Sequence, residues 1–227
     1  MRSRIAIGVI GAFFVVSVIA ACGGSSDNGV AAKSPAAIVR AAVDAMAGVT
    51  SVHLSGSIVS GASPIALDLD LVAGKGGRGR MSTNGLSFQL VVIGKVLYIN
   101  GGSAFWSHFG GAAAAQLFKG KWLKAPASTS DFVSLAALTN LHQVFSKLLV
   151  SHGKLAKGAT ATVKGQKVVA VTDTTKKGTL YVATTGKPYP VEILGTGAQG
   201  QIAFDRFNES VSLTAPANAI DISQLQR

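Results

Sequence analysis

This 227-residue sequence has a single cysteine, Cys22, so no internal disulfide can staple the fold. Acidic residues are scarce: 10 Asp and Glu stand against 21 Lys and Arg, a formal net charge of +11. Aromatics make up only 7% of the chain, while 48% of residues are hydrophobic, so the apolar content is mostly aliphatic. Nowhere does a basic cluster alternate with aromatics, which argues against a nucleic-acid partner. The histidines His53, His108, His142 and His152 include no i, i+4 pair, and no further cysteine is available to complete a metal site. No G-x-S-x-G nucleophile elbow occurs. The sequence therefore offers no catalytic residues, cofactor or metal centre, and an enzyme is not expected.

What is present begins at the N-terminus. Arg2 and Arg4 precede an apolar run from Ile5 to Ala21, and the polar stretch GGSSDNGVAAKS follows. A basic start, an apolar core and small residues at the end are the parts of a secretory signal peptide. Ile19-Ala20-Ala21-Cys22 resembles the lipobox of bacterial lipoproteins. The resemblance implies cleavage after residue 21, lipidation of the Cys22 thiol and anchoring to the extracytoplasmic face of the cell membrane. More than one acyl chain makes such anchoring durable. The expected organisation is a signal peptide at 1–21, a flexible tether at 22–33 and one domain at 34–227.

Within that domain, Ser34 and Pro35 open a helix whose apolar stripe is Ile38, Val39, Ala42, Val43 and Met46. Period-two alternation follows. Val52, Leu54 and Ile58 share one strand face, and Leu67, Leu69 and Leu71 alternate with Asp68 and Asp70. The segment GKGGRGR reads as a turn region, then Phe88, Leu90 and Val92 line the dry face of another strand, with a hairpin at Gly94-Lys95. GGAAAAQLF reads as a short helix. The pattern predicts one long helix from Asp131 to Gly153, with a capping box at Ser128 and Asp131 and a stripe of Phe132, Leu135, Leu138, Leu141, Phe145 and Leu148. KVVAVTD, GTLYVAT, YPVEILG, QIAFDRF and ESVSLTA read as further strands, with Pro188 and Pro190 marking an edge or irregular one.

Helix, strands, helices, strands is an α+β order: one large antiparallel sheet with helices gathered on one face. About ten strands in one sheet must curl, giving a concave side that the helices cover. Asp68 and Asp70 fall on the wet face and read as solvated rather than as an acid/base pair. Gly74 to Gly79 matches G-x-G-x-x-G, but strand-like residues follow it, so no helix N-terminus is there to hold a phosphate. Trp106 and Trp122 suit a cavity mouth or a membrane interface, with boundary packing the simpler account.

GKVLYINGG, KGKWLKAPAS, GKPYPVEILGTG and FDRFNESVSLTAPANAIDI, in that order behind a lipobox, resemble the LppX/LprA/LprF/LprG lipoproteins of mycobacteria and related actinobacteria. The resemblance spans about residues 34 to 222. It implies a LolA/LolB-like half-barrel with an apolar cavity under its helices. It also implies binding of an acylated lipid or glycolipid, a part in moving it across the cell envelope, and an envelope transporter as a candidate partner. Residues alone favour a filled core, because periodicity shows dry faces and not the space between them. If a cavity exists, its expected lining is Leu67, Leu69, Leu71, Phe88, Leu90 and Val92 from the sheet. The helix would add Phe132, Leu135, Leu138, Leu141 and Phe145. Leu90→Trp is then expected to block uptake. The alternative is an envelope interaction protein that reuses the fold and carries no lipid.

Overall fold

The computed structural model describes residues 26–60, 63–130, 132–195 and 200–224. The expected signal peptide, Cys22 and the first residues of the tether lie outside the described residues. The free tether expected up to residue 33 is shorter than the sequence suggested. Asp27 bridges Thr185, the Asn28 side-chain amide donates to the carbonyls of Ala183 and Gly186, and Val30 is buried in a single 3-10 turn, Val30–Ala32.

Twelve strands form one sheet, two more than expected. β1 (Ser51–Ser60), β2 (Ser63–Val72), β3 (Gly76–Thr83), β4 (Leu86–Ile93) and β5 (Val96–Gly101) run as a meander that β6 (Trp122–Pro126) extends. A second meander holds β7 (Leu155–Val163), β8 (Gln166–Asp173), β9 (Thr179–Ala183), β10 (Pro190–Leu194) and β11 (Gly200–Asp205). Antiparallel pairing of β1 with β11 joins the two, and the two-residue β12 (Ile220–Asp221) closes one edge parallel to β6. The sheet is open and curled, as twist demands of so many strands. The α+β reading of the sequence is thus the fold observed.

The helices lie along the concave side. α1 (Pro35–Ala47) begins where predicted, with the Ser34 hydroxyl accepting from the Ala37 N–H. Its Ile38, Val39 and Ala42 pack on Val169, Val171 and Val182 of the second meander. α2 (Ser103–Phe118) covers β4 and β5 through Phe105, whose ring stands 4.9 Å from that of Phe88. Between β6, next to one edge, and β7, at the other, the chain crosses the concave face as α3 (Val133–Ala137) and α4 (Leu141–Val150). Phe145 of α4 meets Phe204 of β11 at 4.9 Å.

Several local expectations change. The long helix predicted from Asp131 is two helices, because Asn140 adopts an extended conformation and caps α4 by accepting from the Gln143 N–H. Asp131, the second half of the expected capping box, lies outside the described residues. Most of GKGGRGR is strand β3 and not turn; only Ala73 to Lys75 turn the chain. ESVSLTA alternates like a strand but is unpaired. Arg206 and Asn208, at φ 51° and 63°, lead the chain off the sheet, and Asn208 is held by the Thr50 N–H at 2.8 Å. β10 is irregular as its prolines suggest, with a register shift between Pro190 and Glu192, but it is an interior strand. β7 escaped notice because it is an edge strand exposed along almost its whole length, with no apolar alternation to read.

Candidate functional site

The concave core is filled over the first meander. Leu71, Leu90, Leu97 and Ile99 are among its most deeply buried side chains. The packing opens where β1, β2 and β11 pass beneath α3 and α4. There the inward row of β1 reads Leu54, Gly56, Ile58. Across the ladder from Gly56 stand Leu67 and Ile202, and Gly200 stands opposite Ile58. A Cβ at Gly56 would fall 2.0 Å from the Gln201 carbonyl oxygen, so this backbone demands glycine.

Two hollows lie in this region. The first, of about 370 Å³, has Leu54, Leu67, Leu69 and Ile202 on the sheet side and Leu138 and Val144 on the helix side. Val133, half exposed, and Lys147 stand at its rim. The second, of about 270 Å³, lies between α1, the end of α4 and the second meander, with Val39, Leu149, Val171, Leu180 and Ile193 in its wall. Ile58, Leu148 and Ile202 border both, so the hollows adjoin on either side of Leu148.

The rim of the second hollow is polar and ordered. Asp173 accepts from the N–H groups of Gly153 at 2.7 Å and of Thr175 and Lys176 at 2.9 Å. The Gly153 N–H, followed by that of Lys176, holds the Asp173 carboxyl below the usual carboxylate range against the opposing effect of burial. The Lys176 ammonium donates to the Ser151 carbonyl and hydroxyl at 2.8 and 3.0 Å, tying the end of α4 to the β8–β9 turn.

Of the eleven residues named from sequence, Leu67, Leu69 and Leu138 line the first hollow. Leu71, Phe88, Leu90, Val92, Leu141 and Phe145 are buried in the core, and Phe132 and Leu135 pack against it; none of these eight lines either of these two hollows. Sequence reasoning missed Ile58 and Ile202 as lining residues, although the alternation that puts Ile58 on a dry strand face was an available signal. Trp106 is core, edge-on to Phe105 at 4.9 Å, while Trp122 lies half-buried beside Arg80 and Gln89.

On the convex face, the His53 ring bridges Asp205 at 2.7 Å and Asp68 at 3.0 Å, and Asp70 accepts from Arg206 at 3.0 Å and from Arg78 at 3.4 Å. These carboxylates all have side-chain partners on an outer surface away from both hollows. Among the described residues no group of three His, Cys, Asp or Glu is placed to hold a metal ion, and no helix is long and apolar enough to cross a membrane.

By sequence the chain matches no protein-family model and no curated protein. By structure it is similar to LprF from Mycobacterium bovis, at 14% identity and a TM-score of 0.59, over 86% of this chain and all of that one. It is also similar to the Mycobacterium tuberculosis lipoprotein LppX, at 19% identity and a TM-score of 0.50, over 83% of this chain and all of that one. The chain therefore has the fold of LprF and LppX, the lipoproteins that its sequence resembles.

Proposed function

We propose that this protein is a membrane-anchored lipoprotein that holds the acyl chains of a lipid or glycolipid in the two hollows and helps move it across the cell envelope. The observation that carries this reading is the pair of adjoining apolar hollows, one under α3 and α4 and the other between α1 and the end of α4, that meet at Leu148. Their volumes together fall in the range of ordinary small-molecule sites, about 300–1,000 Å³. Acyl chains suit such walls because each methylene taken out of water contributes about 0.8 kcal/mol. Two adjoining hollows suit a lipid with two chains, one on each side of Leu148. The polar end would then rest at a rim, beside Lys147 or Lys176. Loading needs no bond chemistry; it needs α3 and α4 to move away from β1 and β11. The break at Asn140 and the short α3 make that segment the natural lid. Lipidated Cys22 would keep the domain at the extracytoplasmic membrane surface where its cargo resides, and an envelope transporter is the partner such a carrier would serve.

The test is native mass spectrometry of protein purified without detergent, followed by extraction of whatever it carries. A discrete added mass that extracts as an acylated lipid supports the carrier. Bare protein that takes up no added diacyl glycolipid overturns it and leaves the envelope interaction protein.

A further inference from the structure

A straight helix of sixteen residues would be about 24 Å long, at 1.5 Å per residue. α2 does not run straight. Gly111 breaks it at φ 75° and ψ −174°, the Trp106 and Phe118 rings come within 5.6 Å, and the Gly120 N–H lies 3.5 Å from the Gly101 carbonyl oxygen. The segment is a helical hairpin: two short arms rise from a common base and meet at a tip. Phe109, Gly110, Gly111, Ala112 and Ala113 form that tip, and all are exposed. Phe109 is 64% exposed and Leu117, on the returning arm, 51%. The Phe109 ring rests on Phe105 at 4.8 Å, and Phe105 in turn on Phe88 at 4.9 Å, so tilted ring contacts tie the tip to the core.

We propose that this tip inserts into the surface of an anionic phospholipid bilayer. No charged residue occurs between Lys95 and Lys119, and the exposed Lys119 and Lys121 follow at the base of the hairpin. Between Asp70 and Asp173 the sequence has twelve basic residues and one acidic residue, Asp131. An apolar point backed by lysines, in a region almost without acids, complements anionic head groups. One arm, Ser103 to Gly110, rises about 12 Å. A tip buried about 5–10 Å in the headgroup boundary therefore leaves the lysines level with the head groups. A few apolar side chains with basic neighbours suffice at a bilayer. This inference does not depend on lipid occupying the hollows.

Hydrogen exchange read by mass spectrometry tests it, using the full chain on phosphatidylcholine vesicles with or without phosphatidylglycerol. Amides at 109–117 should be protected on the anionic vesicles, while α3 and α4 are unchanged. Each lysine is worth about 1 kcal/mol near an anionic surface, or about a fivefold change in the bound fraction at low occupancy. Lys119→Gln with Lys121→Gln should accordingly remove the preference for phosphatidylglycerol. Phe109→Ser with Leu117→Ser should abolish the protection while the protein stays folded by circular dichroism, since both side chains are mostly exposed. Equal exchange with and without vesicles overturns the proposal. So does protection that rises with protein concentration in their absence, which marks a second copy as the occupant.

Discussion

Thr139 lies against Gly77: a Cβ added at Gly77 would stand 3.2 Å from the Thr139 Cβ and 2.8 Å from the Asp70 carbonyl oxygen. Thr139 is the buried hinge between α3 and α4, its hydroxyl donating to the Ala136 carbonyl at 2.8 Å. A glycine in the middle of the sheet is thus what allows the helical layer to close down on it. Gly77→Val should destabilise the fold by about 1–3 kcal/mol through overpacking. Gly48→Ala, with open space around the new carbon, should change stability by less than about 0.5 kcal/mol. Urea midpoints of the two variants test the pair; equal midpoints would remove Gly77 from this role.

Leu148 divides the hollows, so Leu148→Trp should fill space on both sides. We expect loss of lipid uptake with the melting temperature little changed. Leu90→Trp is the informative contrast. Leu90 is fully buried in closed core, and the added bulk should cost about 1–3 kcal/mol through strain. Uptake measured on both variants, each checked for folding, separates a blocked site from a disturbed core.

Asp173 sets an acid limit on the rim of the second hollow. Its three N–H donors stabilise the anion, so its folded pKa lies below the unfolded value of about 3.9. That stabilisation is complete above about pH 4 and is lost as the pH falls through the folded value. Asp173→Asn should lower the melting temperature at neutral pH and flatten its decline in acid. Parallel melting curves for variant and parent across the acid range would count against the assignment.

His53 holds two carboxylates at the seam between the meanders, but Asp68 and Asp205 are largely open to solvent, at 75% and 49%. Such pairs are worth little, so His53→Gln should cost no more than about 1 kcal/mol. A larger loss in chemical denaturation would show that the seam leans on this bridge.

The elements legible from sequence were those whose burial repeats along the chain. Leu67, Leu69 and Leu71 alternate with two aspartates, and α1 has its cap, its proline and a single stripe, so local pattern and tertiary burial agree. β7 was invisible because an exposed edge strand carries no burial signal. ESVSLTA misled because alternation describes a strand and does not supply its neighbour. The long helix misled because its apolar stripe runs on across the Asn140 cap.

The sequence by itself determined the α+β class, the two dry faces that must meet, the lipobox resemblance and the absence of a recognisable catalytic motif. These follow from periodicity, composition and short-range chemistry, which any single segment displays. Only the tertiary structure decided where the two faces fail to fill the space between them. That depends on β1 and β11, nearly 150 residues apart in sequence, pairing beneath the helices, and on α2 folding back so that Phe109 is left mostly exposed. A void and an uncovered side chain are both missing contacts, and a missing contact belongs to the arrangement of segments rather than to any one of them.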